Sequence, residues 1–152
     1  MMRDEPSLHR HECPVYADQP QAAFHTIARN ALIAFEEAGD EQWISLQVIR
    51  EYLSVVTRVN PSSPELVPLS PQIAAVAAAR FLDTFRIAPD GLEVANRLLD
   101  LIAAHSVAGR RVHDVNIVAA MLTHDITRLV TFNPRDFRAF GGFIDVIALN
   151  AH

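Results

Sequence analysis

The sequence predicts an α/β domain in which helices cover both faces of a central parallel sheet, an α/β/α sandwich. Short β-prone runs alternate along the chain with longer apolar segments of helical periodicity, the order typical of parallel sheets. The chain has 152 residues, half of them hydrophobic, which is enough for one buried core. We therefore expect a single globular unit.

The first half supplies helices, a strand and a long loop. Apolar residues recur at helical spacing from Phe24 to Phe35, and Gly39 is a plausible stop. The run 43–46 predicts a short strand that leads into a helix over 47–58. Four prolines between Val59 and Pro71 predict a loop.

The second half repeats the alternation. Ser70 and Pro71 have the chemistry of an N-cap and a first helical residue, and they predict a helix over 72–85. A short strand is expected at 85–87, and Asp90 is expected to cap a helix over 91–105. The apolar run 143–149 predicts the strand that completes the sheet.

The segment His113–Phe137 is the most informative stretch. It contains a helix with apolar residues on nearly all sides, a β-prone run at 128–132, and turn chemistry at 133–136. Asp114 is expected at the helix N-cap. Asp136 should follow a strand at the carboxyl edge of the sheet, where open α/β folds bind ligands.

The net charge and the cysteine content argue against several classes of protein. A net charge of −5 argues against broad electrostatic binding of nucleic acid, although it allows a local basic rim around an acidic site. Cys13 is the single cysteine, which excludes disulfide frameworks and favours a reducing cytoplasm. The first residues are polar and contain no apolar signal core, so we do not expect export, and no apolar run has membrane-spanning length.

Two motifs resemble those of PIN-domain proteins of the VapC toxin kind. They are SLQVIREYLSVVTR (45–58) and AGRRVHDVNIVAAMLTHDITRLVTFNPRDF (108–137), followed by the closing strand. The resemblance extends from about Val15 to Leu149. It implies a PIN-like sandwich, a cytoplasmic endoribonuclease that uses Mg²⁺ or Mn²⁺, an antitoxin that covers the site, and a homodimer.

The resemblance also implies site residues. Glu51, Asp114 and Asp136 match the family's metal-binding acids, and carboxylates are the ligands that such hard cations prefer. Thr131 and Asn133 accompany the last acid. The candidates for binding RNA phosphates are Arg50, Arg110, Arg111 and Arg135.

The first strand of the family is missing from the expected place. It should be apolar and end in Asp-Thr-Asn, but His9–Pro14 stands there instead, and proline is unsuited to a central strand. We therefore divide the chain into an aberrant segment, 1–14, and a PIN-like domain, 15–152. We expect the polypeptide as written to be unstable or impaired as a nuclease.

A change of reading frame accounts for this break. The codons for His-Arg-His-Glu-Cys-Pro, read one base later, can encode Ile-Asp-Thr-Asn-Val-Leu, which is the missing motif. An ATG fits the same shifted frame within Asp4-Glu5. Our hypothesis is that the loss of one base near Val15 joined two frames, with His9, His11 and Cys13 as products of the wrong one.

Each site residue also has an ordinary structural interpretation. Glu51 alone would more often be a solvated helix residue, Asp114 an N-cap and Asp136 a turn residue. The spacing of His113 and His124 does not favour a zinc site. The alternative function is a non-catalytic PIN-like protein that lost its first acid and binds only RNA or an antitoxin.

Overall fold

A five-stranded parallel sheet forms the centre of the protein in the computed structural model, which describes residues 6–9, 25–61 and 64–149. The strands are β1 (Ser7–His9), β2 (Gln42–Ser45), β3 (Arg86–Ala88), β4 (Arg128–Thr131) and β5 (Asp145–Ala148). The helices are α1 (His25–Glu37), α2 (Leu46–Val56), α3 (Pro71–Thr84), α4 (Leu92–His105) and α5 (Arg111–Thr123), with a 3-10 helix at Pro134–Phe140. The predicted alternation of strands and helices is confirmed.

The strand order is β3-β2-β1-β4-β5, so β1 lies in the middle of the sheet. Leu8 pairs with Trp43 of β2 and with Leu129 of β4, and His9 pairs with Val130. This strand has only three residues. It joins the two halves of the sheet, so the strand that the sequence analysis expected to be disrupted occupies the central position.

Successive residues of the strands point to opposite faces of the sheet. On β2, Trp43 packs against a large cluster, and Ile44 belongs to a smaller one. The large cluster includes Val115, Val118, Met121, Leu129, Phe137 and Phe140. The small cluster includes Ile44, Val48, Tyr52, Ala74, Ala78 and Phe81. Because the clusters lie on opposite faces, the molecule is the predicted α/β/α sandwich.

Helix α5 is the most deeply buried helix of the large cluster. Five consecutive residues, Ile117 to Met121, are 3% exposed or less. Burial on all sides is expected for a helix that contacts both a sheet and a neighbouring helix, and α4 is the helix packed beside it. The apolar pattern of the sequence predicted this burial.

The residue at the start of a helix was predicted correctly for α3 and wrongly for α4 and α5. Ser70 caps α3 as predicted, since its Oγ accepts a hydrogen bond from the Ile73 N–H at 3.3 Å. Asp90 was wrongly assigned as a cap, because Gly91 holds that position and Asp90 instead pairs with Arg50 at 3.5 Å. Asp114 was also wrongly assigned: α5 begins at Arg111, so Asp114 lies within its first turn.

The segment assigned as aberrant contributes to the sheet. Residues 7–9 form β1, so the sheet includes a part of the chain that precedes residue 15. The inferences drawn on Arg10, His11, Glu12, Cys13 and Pro14 concern residues outside those that the structure describes.

No helix within the described ranges is both long and apolar enough to cross a lipid bilayer. The longest have 14 residues, whereas about 20 are needed for a transmembrane helix.

Candidate active site at the carboxyl edge of the sheet

Three acidic side chains from three separate elements line one cavity. Glu51 comes from α2, which directly follows β2, and Asp114 comes from the first turn of α5. Asp136 comes from the 3-10 helix that begins three residues after β4. The cavity has a volume of about 480 Å³, and we call it the carboxylate cavity. The structure therefore brings together all three acids that the sequence analysis singled out.

Glu51 is oriented by a residue one helical turn earlier. The Gln47 side-chain amide donates a hydrogen bond from Nε2 to Oε1 of Glu51 at 2.6 Å, and both residues line the cavity. Residues four apart lie on the same side of a helix, which allows this contact. The sequence analysis did not identify Gln47. Its signal was a pair of polar residues four positions apart, Gln47 and Glu51.

Asp136 is held by the turn that follows β4. Pro134 starts the 3-10 helix, and Phe137 and Phe140 of the same segment are fully buried in the large cluster. The Asp136 N–H donates to the Asn133 carbonyl at 3.2 Å. The position of the carboxylate therefore follows from the burial of the two aromatic side chains.

Thr131 and Asn133 shape this turn. Thr131 is fully buried at the end of β4, and its Oγ1 accepts a hydrogen bond from the Asn133 N–H at 3.0 Å. Neither residue is among those that line the carboxylate cavity. Their contacts support the segment that carries Asp136.

Asp114 lies at the amino-terminal end of α5. It is half-buried in the first turn, and Val115 and Ile117 beside it are buried in the large cluster. The positive end of the helix dipole stabilises a carboxylate at this position. Packing of α5 therefore fixes Asp114 at the rim of the sheet.

Basic residues line the same cavity on one side. Arg110 and Arg111 lie at the start of α5 and contribute to its wall, as does His113. Arg50 instead lines an adjoining cavity, and Arg135 is exposed and lines neither of the two. Two of the four candidate phosphate ligands therefore face the carboxylates.

The donor chemistry suits a hydrated divalent cation. Mg²⁺ keeps several waters and is bound in proteins through one or two carboxylates, so it does not require a closed protein cage. Within residues 6–9, 25–61 and 64–149, no three histidine, cysteine or acidic side chains are close enough together to hold an ion directly. The carboxylates thus provide the right ligand type at an open site.

A second cavity adjoins the carboxylate cavity. It has a volume of about 540 Å³ and lies between α2, α4 and α5. Its lining consists of Gln47, Arg50, Glu51, Ser54, Leu98, Val112, His113 and Asn116. No local sequence pattern indicated this cavity, because its walls come from helices that are far apart in the chain.

Solved structures of toxins share this architecture, whereas no family model and no curated protein sequence matches the chain. A toxin–antitoxin complex from Klebsiella pneumoniae has 18% identity and a TM-score of 0.65, covering 96% of this chain and 99% of that one. VapBC2 from Rickettsia felis, bound to a promoter DNA fragment, has 15% identity and a TM-score of 0.67, with coverages of 95% and 99%.

A third structure gives the same result. VapC20 from Mycobacterium tuberculosis, a toxin that cleaves the sarcin–ricin loop, has 16% identity and a TM-score of 0.64. The alignment covers 92% of this chain and 98% of that one. The chain therefore has the PIN-like fold of the VapC toxins, as the motif resemblance implied.

Proposed function

We propose that this protein is a metal-dependent endoribonuclease of the VapC toxin class, weakened because the sequence lacks the aspartate expected at the end of its first strand. The observation that carries the proposal is the meeting of Glu51, Asp114 and Asp136 in one cavity at the carboxyl edge of the sheet. Their shared position supports a common chemical role, since each comes from a different element.

The proposed ligands of Mg²⁺ or Mn²⁺ are these three carboxylates. Such a cation lowers the pKa of a bound water and stabilises charge on phosphate oxygens. Gln47 orients the Glu51 carboxylate through the 2.6 Å hydrogen bond. Arg110 and Arg111 would bind RNA phosphate oxygens at the cavity wall, where their positive charge compensates that of the backbone.

The partners follow from the same proposal. The related structures include a toxin–antitoxin complex and a VapBC complex on DNA. By analogy, we propose that an antitoxin covers the carboxylate cavity, that the protein forms a homodimer, and that it acts on RNA in the cytoplasm.

A non-catalytic binding protein is the second candidate function. It is favoured by the lack of a direct three-ligand cluster among the described residues. The sequence adds that Arg10, a basic residue, follows β1 in the chain. Such a protein would keep its affinity for RNA or an antitoxin without any need for a cation.

Metal binding distinguishes the two functions without relying on activity. We expect the chain to bind Mn²⁺ and Asp114→Asn to weaken that binding by about 100-fold or more, since residues that only orient ligands already contribute about 10- to 100-fold. Calorimetric titration measures this, with Asp145→Asn on β5 as the control, an exposed acid outside the cavity. Equal Mn²⁺ affinity in the chain and in Asp114→Asn would establish the binding protein instead.

A further inference from the structure

We propose that the second cavity binds a nucleobase of the RNA whose backbone lies at the carboxylates. This inference rests on the proposed function, because it takes RNA as the ligand of the neighbouring cavity. It adds a specificity site formed by Leu98, Val112 and Asn116, none of which lines the carboxylate cavity.

The first argument is continuity. Gln47, Glu51 and His113 line both cavities, so a ligand in one is adjacent to a ligand in the other. A nucleotide joins a charged phosphate to an uncharged aromatic base through one sugar. The two cavities are thus arranged as the two ends of a nucleotide would require, with the phosphate at the carboxylates and arginines.

The second argument is the chemistry of the lining. Leu98 and Val112 are half-buried and pack on the large cluster, which makes the wall apolar and rigid. Asn116 is half-buried on α5 and makes no side-chain hydrogen bond to another described residue. An asparagine amide offers both donors and an acceptor to the edge of a base. Small-ligand sites of this size combine apolar surface with polar groups that fix the orientation of the ligand.

The third argument is the charge at the rim. Arg50 lines the second cavity and pairs with Asp90 at 3.5 Å, with side chains 63% and 34% exposed. An exposed ion pair of this kind contributes little to stability, so the guanidinium can turn to a phosphate at little cost. With Arg110 and Arg111 in the carboxylate cavity, arginines then line both of the cavities that the nucleotide would occupy.

A third cavity, lined in part by residues of α4, offers a contrast. It has a volume of about 690 Å³, and its lining includes Glu93, Asp100, His105 and Phe143. None of its lining residues belongs to the carboxylate cavity. Because the two cavities share no lining residue, a base bound in this one would not be adjacent to a phosphate at the carboxylates.

Abasic RNA tests the proposal directly. A fluorescein-labelled RNA hexamer is titrated with the full chain, with Ca²⁺ in place of Mg²⁺, and fluorescence anisotropy gives the Kd. The same hexamer is then measured with one base removed at each position in turn. We expect one abasic position to weaken binding about tenfold, the scale of a lost contact in a pocket, and the others to have little effect.

Substitutions in the lining of the second cavity test whether the lost base contact lies there. Ser54 is exposed at the rim, so Ser54→Trp should fill the second cavity without disturbing the core. We expect this variant to bind intact RNA about tenfold more weakly and to make the intact and abasic hexamers equal. Asn116→Ala should change the preference among bases at that position. The matched control is Asn96→Ala, because Asn96 lines the third cavity instead.

The outcomes separate the two proposals. If every abasic hexamer binds like the intact one while Arg110→Ala weakens binding, the base site is wrong and RNA binding stands. The base site is also wrong if Ser54→Trp weakens intact and abasic RNA equally, or leaves both unchanged. If the folded chain binds no RNA, both the base site and the proposed function fail.

Discussion

The two faces of the sheet contribute differently to the candidate site. The face covered by α4, α5 and the 3-10 helix buries the large cluster and supplies Asp114 and Asp136. The opposite face, covered by α2 and α3, buries the small cluster and supplies Glu51. The site is therefore assembled from both layers of the sandwich, and its geometry depends on the strand between them.

That strand is β1, the three-residue strand in the middle of the sheet. It lies between β2, which precedes Glu51, and β4, which precedes Asp136. Neighbouring strands are about 4.8 Å apart, so β2 and β4 are separated by roughly 10 Å. Glu51 lies on the helix that follows β2 and Asp136 on the 3-10 helix that follows β4, so these two acids approach the cavity from strands on either side of β1. This spacing accounts for three acids that line one cavity although, among the described residues, no three such side chains are close enough together to hold an ion directly.

Restoration of the first-strand motif should have the largest effect. The variant carries His9→Ile, Arg10→Asp, His11→Thr, Glu12→Asn, Cys13→Val and Pro14→Leu. An apolar end to a central strand should raise the free energy of unfolding by about 3 kcal/mol, measured by urea denaturation. The acid after β1 should also give Mg²⁺-dependent RNA cleavage where the chain as written gives little.

A matched control variant separates the gain in stability from the gain in RNA cleavage. The same variant with Arg10→Ala should keep the added stability and lack the cleavage, because it restores the strand without the ligand. The nucleotide sequence between Asp4 and Tyr16 gives an independent check of the frame hypothesis. Codons that cannot encode Ile-Asp-Thr-Asn-Val-Leu in the shifted frame would rule out that hypothesis. Strong Mg²⁺-dependent cleavage by the unchanged chain would instead contradict the predicted impairment.

Sequence alone predicted the features that local chemistry determines. The buried helix α5 and the Ser70 cap of α3 follow from apolar spacing and from one hydroxyl before a proline. The start of α5 was placed too late, because the turn at Gly109, with φ of 64°, begins the helix before Asp114. A pattern of apolar residues does not reveal where such a turn lies.

Features that depend on packing between distant segments were not predicted. The strand β1 has one apolar residue, Leu8, among its three, and only its pairing with β2 and β4 identifies it as a strand. The second cavity was also not predicted from the sequence, because Ser54, Leu98 and Asn116 come from three different helices. The three acids were found by their motifs, and their common cavity required the fold.

Two aromatic truncations test whether the faces fold as one unit. Phe140 is fully buried in the large cluster, and Phe81 is 8% exposed in the small cluster, where it contacts Tyr52 with ring centroids 4.7 Å apart. Phe140→Ala and Phe81→Ala should each lower the free energy of unfolding by about 3–4 kcal/mol. Because one sheet joins both clusters, we expect a single denaturation transition with the same midpoint by fluorescence and circular dichroism. Two separate transitions would show that the faces unfold independently.

The smallest predicted effect concerns two neighbouring acids that pair with arginines of different strands. Asp40 contacts Arg128 of β4 at 2.9 Å, with side chains only 14% and 18% exposed. Glu41 contacts Arg86 of β3 at 3.3 Å, with the arginine 66% exposed. Arg128 also lies over the Phe35 ring of α1 at 5.8 Å, so its pair links a helix to the strand beside β1.

The two ion pairs should contribute differently to the free energy of unfolding because they differ in burial. Asp40→Asn should cost about 2 kcal/mol, because it leaves a mostly buried guanidinium without its counter-charge. Glu41→Gln should cost less than about 0.5 kcal/mol, since exposed pairs contribute little and are screened by salt. Urea denaturation at low and high NaCl measures both values. Equal losses in the two variants would mean that the Asp40–Arg128 pair is solvated in solution, and that apolar packing alone holds α1 against the half of the sheet that carries Asp136.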